Sequence, residues 1–246
     1  MKTVQVTDNL IQLDRFRLVN AFLVREEDGF TLVDTTLGRG ADALLTAAAE
    51  AGGEIRRIAL THGHTDHVGS LDGLRKRLGT SVEVLIGEPD ARIHAGETVI
   101  DGKLRGEWPK ELETEPDTLL TGGERIGSLE AIPCPGHTPG HFAFLDTRDR
   151  TLLAGDTFTT YWRTEIPNRL VQRFPLAAMG TQDRVEVVEA ARLLRSLDPA
   201  LLVAGHGPAV RSPGAAMDEA IMRAADREPD GTPTESSPTR MDSEAL

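Results

Sequence analysis

The stretch THGHTDHVGS, residues 61–70, gathers three of the chain's seven histidines and an aspartate into six consecutive positions. The run before it, IRRIALT, residues 55–61, has the composition of a β-strand that leads directly into this cluster. Imidazole nitrogens and carboxylate oxygens at such close spacing are typical metal ligands, with zinc favoured and manganese or iron as alternatives. The stretch therefore predicts a metal site at the end of a strand.

The spacing within the cluster indicates how the ligands are divided. Side chains two residues apart on an extended chain point to the same side, so we expect His62 and His64 to face one ion. Asp66 and His67 follow where the next helix begins and point in another direction. We expect these two residues to hold a second ion beside the first.

The other histidines have a similar placement along the chain. PGHTPGH, with His137 and His141, follows the strand-like run SLEAIPC, and GHG, with His206, follows ALLVA; only His94 stands apart. A further strand-like run, TLLAG, ends in Asp156. Loops at one edge of a rigid sandwich converge on a shared site. We therefore expect these clusters to meet in the folded protein.

Strand-like and helix-like patterns alternate along the whole chain. The N-terminal part reads as a meander of strands, TVQV, LIQLD, LVNAFLV and FTLVD, and helical patterns include RGADALLTAAAEAG, TQDRVEVVEAARLLRSL and residues 214–225. The pattern is weakest over residues 88–115 and 157–180. We expect these two stretches to form loops near the metal edge and to contact the substrate.

Composition indicates one domain and excludes several classes of partner. We predict a single domain over residues 1–227, followed by a disordered tail of Pro, Ser, Thr and acidic residues over 228–246. The net charge of -12 disfavours nucleic acid and anionic membranes, and no apolar run approaches the ~20 residues that cross a bilayer. The lone Cys134 and an N-terminus without a secretory core predict a cytoplasmic protein. Homo-oligomerisation is left open.

The ordered pattern of histidines and aspartates resembles the metallo-β-lactamase-fold hydrolase superfamily, including its glyoxalase II and lactonase-like branch, over residues 1–222. The resemblance implies an α/β fold, a four-layer αβ/βα sandwich of two mixed β-sheets flanked by helices. It also implies two zinc ions per chain at one edge of the sheets. By this resemblance, the ligands would be His62, His64 and His137 for one ion, Asp66, His67 and His206 for the other, and Asp156 as a bridge.

This resemblance predicts a hydrolase of a small-molecule ester, lactone or thioester. Two ions about 3.5 to 4 Å apart lower the pKa of a shared water towards ~7, and the bridging hydroxide attacks a carbonyl. Asp66 would orient this nucleophile and accept its proton. Tyr161, five residues after Asp156, is the second predicted catalytic residue, because its hydroxyl would reach a substrate carbonyl; a half-buried aromatic of the lid is the alternative.

Other residues are expected to support the site. We expect His141 to lie behind the ligands and Cys134 to be a small buried apolar group. Asp34 either hydrogen-bonds a ligand histidine or forms a turn. Three arginines are candidates for binding a substrate carboxylate, unless they are simply solvated: Arg163, Arg169 and Arg173.

Several branches of the superfamily fit the sequence less well. A carboxylate at Asp156 argues against a zinc β-lactamase, the short segment after His206 argues against classic glyoxalase II, and the acidic charge argues against a ribonuclease. Two other classes stay open: a mononuclear iron thiol dioxygenase of the persulfide type, and a non-catalytic metal-binding module. Metal content and turnover of an ester distinguish them.

Overall fold

The structure, a computed structural model, describes residues 1–170 and 174–225. In this part of the chain the first β-sheet follows sequence order, with antiparallel pairing among its first four strands and parallel pairing from the fourth strand onwards. Its strands are Lys2–Gln5 (β1), Leu10–Arg15 (β2), Val19–Glu26 (β3), Gly29–Val33 (β4), Ile55–Ala59 (β5), Glu83–Gly87 (β6) and Thr118–Leu120 (β7).

The second sheet contains the C-terminal strands. Its strands are Arg125–Ile126 (β8), Leu129–Pro133 (β9), Phe142–Asp146 (β10), Thr151–Leu153 (β11), Leu201–Val203 (β12) and Val210–Arg211 (β13). They lie side by side in this order, and the pairing is antiparallel except between β11 and β12, which run parallel. Both sheets are therefore mixed, as the sequence predicted.

The described residues form these α-helices: Ala41–Glu50 (α1), Thr65–Val68 (α2), Leu71–Leu78 (α3), Glu88–His94 (α4), Leu176–Gly180 (α5), Glu186–Ser196 (α6) and Gly214–Ala225 (α7). The apolar faces of α1 and α3 pack on the first sheet, and those of α6 and α7 pack on the second. A further apolar cluster lies between the two sheets. This confirms the predicted four-layer sandwich.

Strand β3 shows why its sequence, VNAFLVRE, is a nearly continuous apolar run. Alternate side chains of a strand point to opposite faces. Leu23 faces the core under α1 and α3, whereas Phe22 and Val24 face the second sheet. A strand buried on both faces therefore has no polar side to alternate with the apolar one.

The metal edge is formed where strands of both sheets end. Strand β5 leads into the histidine cluster at residues 61–67, and β11 and β12 lead to Asp156 and His206. The two sheets are joined at this edge by backbone hydrogen bonds: the Phe142 N–H donates to the Thr61 carbonyl at 2.7 Å, and the Asn20 N–H donates to the Gly205 carbonyl at 2.8 Å. The loops that carry the candidate ligands are therefore fixed to each other.

Two short helices lie in stretches that the sequence analysis expected to be irregular, α4 within residues 88–115 and α5 within residues 157–180. Residues 88–94, within the stretch expected to be irregular, form α4, a short helix with Pro89 in its first turn. Its buried residue is Asp90, not an apolar one, so it has no apolar periodicity to reveal it. The predicted tail, residues 228–246, lies outside the described residues. Within the described ranges, no helix is long and apolar enough to span a bilayer.

Two neighbouring leucines on α6 test the packing of this helix on the second sheet. Leu194 is fully buried, whereas Leu193 is 45% exposed. We expect Leu194→Ala to lower the free energy of unfolding by about 2 to 5 kcal/mol, because it leaves a cavity. Leu193→Ala should change it by only about 0.5 kcal/mol. Urea unfolding of both variants is the measurement, and equal effects would contradict this packing of α6.

Candidate metal centre

The seven predicted metal ligands converge at the edge where the sheets meet. Within residues 1–170 and 174–225 their ligand atoms form three groups, and in each group these atoms lie within 4.8 Å of one another: His62, His64 and His137; His62, His67 and Asp156; Asp66, His67 and His206. The groups share His62 and His67 and therefore form one continuous centre.

Asp156 lies between the two ends of this centre. One of its carboxylate oxygens is 3.1 Å from Nε2 of His206 and 3.5 Å from Nε2 of His137. The other oxygen is 3.5 Å from Nε2 of His67. The carboxylate thus faces both the His62, His64 and His137 group and the Asp66, His67 and His206 group, which is the position that a shared ligand requires.

The chemistry of the donor atoms fits divalent cations. Among the described residues, Nε2 of His62, Nε2 of His67 and Oδ1 of Asp156 are buried and have no hydrogen-bond partner. Burying polar atoms without partners is costly. Three such atoms that face one another are compensated when a cation binds between them.

Asp34 holds two of the ligand histidines through one carboxylate. Nδ1–H of His67 donates to it at 2.8 Å, and the Thr61 backbone N–H and hydroxyl donate at 2.8 and 2.9 Å. The Thr61 hydroxyl in turn accepts from Nδ1–H of His62 at 3.0 Å. Of the two alternatives for Asp34, the structure shows the hydrogen bond to a ligand histidine, which leaves Nε2 of both rings for metal.

The other three ligand histidines are oriented in the same way by different parts of the chain. His64 donates its Nε2–H to the Arg105 carbonyl at 3.3 Å. His137 donates its Nδ1–H to the Thr181 hydroxyl at 3.1 Å, and His206 donates its Nδ1–H to the Leu18 carbonyl at 2.6 Å. These bonds fix the tautomers so that Nδ1 of His64 and Nε2 of His137 and His206 face the centre. Nδ1 of His64 and Nε2 of His137 are 3.1 Å apart.

Burial and charge divide the histidines into two kinds. Burial lowers the pKa of His62 and His137 well below the usual value, so both rings are neutral and able to bind metal. Although burial lowers it, the carboxylates of Asp66 and Asp156 raise the pKa of His67 to about 10. Without a metal, a proton supplies the positive charge that these carboxylates require.

His141 lies behind the ligands, as expected. Its Nε2 accepts the backbone N–H of Asp156 at 3.0 Å, so its Nδ1–H is directed at Sγ of Cys134 at 3.1 Å. Burial raises the pKa of the Cys134 thiol to about 12. Cys134 is therefore a protonated, buried group that packs behind His141.

An open cleft of about 440 Å³ leads to the centre. Its floor contains polar residues of the centre, including the half-exposed Asp66. Its walls are mainly apolar: Leu18, Val19, Leu37, Phe174, Leu176, Ala177 and Met179. Among the described residues that line the cleft there is no lysine or arginine, whereas Glu107 adds an acidic group at the mouth. Both irregular stretches of the sequence contribute to this lining.

The catalytic role of Tyr161 stays a prediction, and the structure shows hydrogen-bond partners for its hydroxyl other than a substrate. Its hydroxyl lies within hydrogen-bonding distance of the backbone carbonyls of Arg17, at 2.7 Å, and Leu18, at 2.6 Å. The side chain does not line the cleft of the metal centre but a separate groove. The separation of five residues between Asp156 and Tyr161 does not determine which way the Tyr161 ring points. The alternative, a half-buried aromatic that packs on Phe174, describes it.

Two of the three candidate arginines, Arg163 and Arg169, are not among the residues that line the cleft. Arg163 forms an ion pair with Glu165. Arg173 lies outside the described residues. His94, which stood apart in the sequence, contacts Trp108, with 5.3 Å between the ring centroids.

Sequence analysis missed several residues that support the centre. Trp108 packs edge-on against His64, with 5.1 Å between ring centroids, and its indole N–H donates to the Arg105 carbonyl at 2.8 Å. Gln182 connects the two loops at the cleft: its side-chain oxygen accepts from the Arg105 N–H at 2.8 Å, and its backbone N–H donates to the His137 carbonyl at 3.0 Å. Trp108 lies in the irregular stretch 88–115, where no periodic pattern marks it, and Gln182 lies in the first part of a predicted helix that in the structure begins only at Glu186.

Comparison with known proteins identifies the family. The model of the metallo-beta-lactamase superfamily matches residues 14–206. The chain belongs to this superfamily, and its similarity to metallo-hydrolases supports a hydrolase with a metal-binding His/Asp centre.

Relatives cover most of the chain. The uncharacterized protein YobT of Bacillus subtilis is 41% identical over 211 residues, which are 84% of this chain and 90% of that protein. Hydroxyacylglutathione hydrolase GloC of Haemophilus influenzae is 24% identical over 208 residues, 80% of this chain and 89% of that protein. The crystal structure of TTHA1623 in a di-iron-bound form has a TM-score of 0.61 at 25% identity, with 88% of this chain and 97% of that chain covered.

Tyr161→Phe tests the position of the hydroxyl. Because the hydroxyl hydrogen-bonds to the backbone carbonyls of Arg17 and Leu18 and the side chain does not line the cleft, we expect hydrolytic activity and metal content to stay within about threefold of wild type. The free energy of unfolding should fall by about 0.5 to 1.5 kcal/mol, the value of one hydrogen bond. A loss of activity of about 100-fold or more, as for removal of an oxyanion-stabilising donor, would support the predicted catalytic role of Tyr161. Steady-state kinetics and urea unfolding are the measurements.

Proposed function

We propose that the protein is a dinuclear metal-dependent hydrolase of a neutral small-molecule ester, lactone or thioester that carries an apolar group. One observation carries the proposal: the buried Asp156 carboxylate faces two groups of ligand atoms, each with three further candidate ligands. A single-ion protein has no need for the second group, and a non-catalytic module has no need for an open cleft above it.

Bound ions and Asp66 would have different roles at the floor of the cleft. Bound divalent ions would supply a water molecule of lowered pKa and a Lewis acid for the substrate carbonyl. Asp66 is half-exposed at the floor, with its carboxylate 3.5 Å from Nε2 of His206. It is therefore within reach of both water and substrate and is the residue that we assign to accept the proton of the attacking water.

The cleft lining supports the choice of substrate. Its volume suits a small molecule, and its apolar walls favour an acyl or alkyl group. Two bound divalent ions would outweigh the charges of Asp66 and Asp156 at the floor, but Glu107 is acidic at the mouth and no described lysine or arginine lines the cleft. An anionic group that lies at the mouth, away from the ions, would therefore be disfavoured, whereas a neutral group would not.

Relatives support particular parts of the proposal. The name of GloC as a hydroxyacylglutathione hydrolase supports a thioester among the candidate substrates, although the cleft favours a neutral thioester over an anionic one. The di-iron-bound form of TTHA1623 supports two ions per chain in a similar fold. We propose zinc as the metal, with iron or manganese as alternatives. We also propose a cytoplasmic protein that binds neither nucleic acid nor membranes, from its acidic charge and single cysteine.

Asp156→Ala tests the two-metal centre. Wild-type protein should carry close to two divalent ions per chain, and chelation should abolish hydrolysis. Removal of the shared carboxylate weakens both ions, so we expect loss of metal and a fall in turnover of about three orders of magnitude. His141→Ala, which alters only a neighbour of the ligands, should keep most of the metal and lose about 10- to 100-fold in affinity. Metal analysis beside ester hydrolysis measures both.

The opposite ranking of Asp156→Ala and His141→Ala would show that the ligands are wrongly assigned. Full hydrolytic activity with a single bound iron would contradict the two-metal centre.

A panel of acyl esters tests the apolar walls. With acyl chains of about two to eight carbons, we expect kcat/KM to rise by up to about fourfold per methylene, because each buried CH2 contributes at most ~0.8 kcal/mol. Met179→Glu should flatten this dependence, whereas Met222→Glu should not, since Met222 is similarly exposed but lies on α7. A glutathione thioester hydrolysed better than a neutral thioester with the same acyl group would contradict a neutral substrate.

A further inference from the structure

Two of the ligand-bearing loops meet at one buried aspartate that is not itself a ligand. Asp90, on α4, is fully buried. Its carboxylate accepts the backbone N–H of Gly63 at 2.8 Å, which belongs to the loop of His62 and His64. It also accepts the Thr138 hydroxyl and the Gly140 N–H, both at 2.7 Å, from the loop of His137.

We propose that Asp90 is a positioning residue that sets the distance between these two loops and thereby the affinity of the ion held by His62, His64 and His137. The inference rests on the metal centre of the proposed function. All three histidines of this group belong to the loops that Asp90 connects. The Asp90 carboxylate hydrogen-bonds to the backbone of both loops.

Both loops pack closely against the helix that carries Asp90 or against its neighbours. A Cβ on Gly140 would lie 2.5 Å from the Asp90 backbone nitrogen and 2.8 Å from its carboxylate. A Cβ on Gly63 would lie 2.4 Å from the Trp108 ring and 2.6 Å from His94, which is on the same helix as Asp90. Both loops therefore approach α4 through a glycine, and small movements of this helix would move both.

The hydrogen bonds identify the charge state that the position requires. Two of the three donors are backbone N–H groups, which cannot become acceptors. Burial raises the pKa of Asp90 to about 6, while the three hydrogen bonds favour the ionised form. At neutral pH the side chain is a carboxylate, which can accept all three bonds.

The second group of ligands depends on other residues. His67 is held by Asp34 and His206 by the Leu18 carbonyl, and Asp90 contacts neither of them. The two buried aspartates therefore serve opposite ends of the centre. A change at Asp90 should weaken one ion more than the other, which a general loss of stability would not do.

Asp90→Asn changes the chemistry without changing the size. An amide has one oxygen and one NH2 group in place of two acceptors, so in either orientation its NH2 faces a backbone N–H, of Gly63 or of Gly140. One loop must then move away. Thr138→Val is a milder second variant, since it removes one of the three bonds and keeps the shape of the side chain.

The experiment is a titration of the metal-free, full-length protein with Zn²⁺ against a chromophoric chelator, which gives two stepwise dissociation constants. His64→Ala and His206→Ala assign the steps to the two ends of the centre. We expect Asp90→Asn to raise about 10- to 100-fold the dissociation constant of the binding step that His64→Ala removes. The dissociation constant of the other step should stay within about threefold of wild type. Thr138→Val should shift the same step as Asp90→Asn, but by less.

Asp146→Asn is the matched control. Asp146 is also a buried aspartate, it is paired with Arg148, and it lies at the end of β10 away from the metal edge. Asp146→Asn should lower the free energy of unfolding and leave both zinc dissociation constants unchanged. Equal weakening of both steps by Asp90→Asn, or no change in either, would overturn the role of Asp90 alone. A wild-type chain that binds no zinc would overturn the metal centre and the proposed function together with this role.

Discussion

The burial of the Asp156 carboxylate among imidazoles is the interaction on which the rest of the site depends. Although burial raises it, the imidazoles of His206 and His67 hold the pKa of Asp156 well below its usual range, so the group is charged inside the protein. A buried charge needs a fixed partner of opposite sign. The sandwich provides this by ending strands of both sheets at one edge, so that donors distant in sequence surround one space.

The support for this centre is distributed over the whole fold. The ligand histidines are oriented by a β4-end aspartate, two threonine hydroxyls and two backbone carbonyls from loops that are far apart in sequence. Asp34, which orients His67, has a backbone φ of +62°, a conformation that is unfavourable for a non-glycine residue. Stability and metal binding are therefore linked, because the layers that bury apolar surface also hold the ring nitrogens in position.

The sequence predicted those features of the fold and the site that depend on residues close together in the chain. Histidines that follow strand-like runs indicated both the sandwich and the convergence of the candidate ligands, because spacing along a strand determines which side chains share a face. Asp90 and Thr181 were missed because their partners lie 27 to 50 and 44 residues away, and no local pattern encodes such contacts. The hydrogen-bond partners of Tyr161 could not be predicted for a related reason: its hydroxyl lies within hydrogen-bonding distance of carbonyls that are 143 and 144 residues away in sequence.

The loops that wall the cleft are also the loops that orient the metal ligands. The Arg105 carbonyl accepts from His64 and the Thr181 hydroxyl from His137, while Gln182 connects the two loops across the cleft. An insertion or deletion in either loop that admits a larger substrate also displaces a ring nitrogen. Evolution of substrate range in this chain is therefore constrained by metal retention, and single substitutions of outward wall residues such as Met179 are more accessible than changes in loop length.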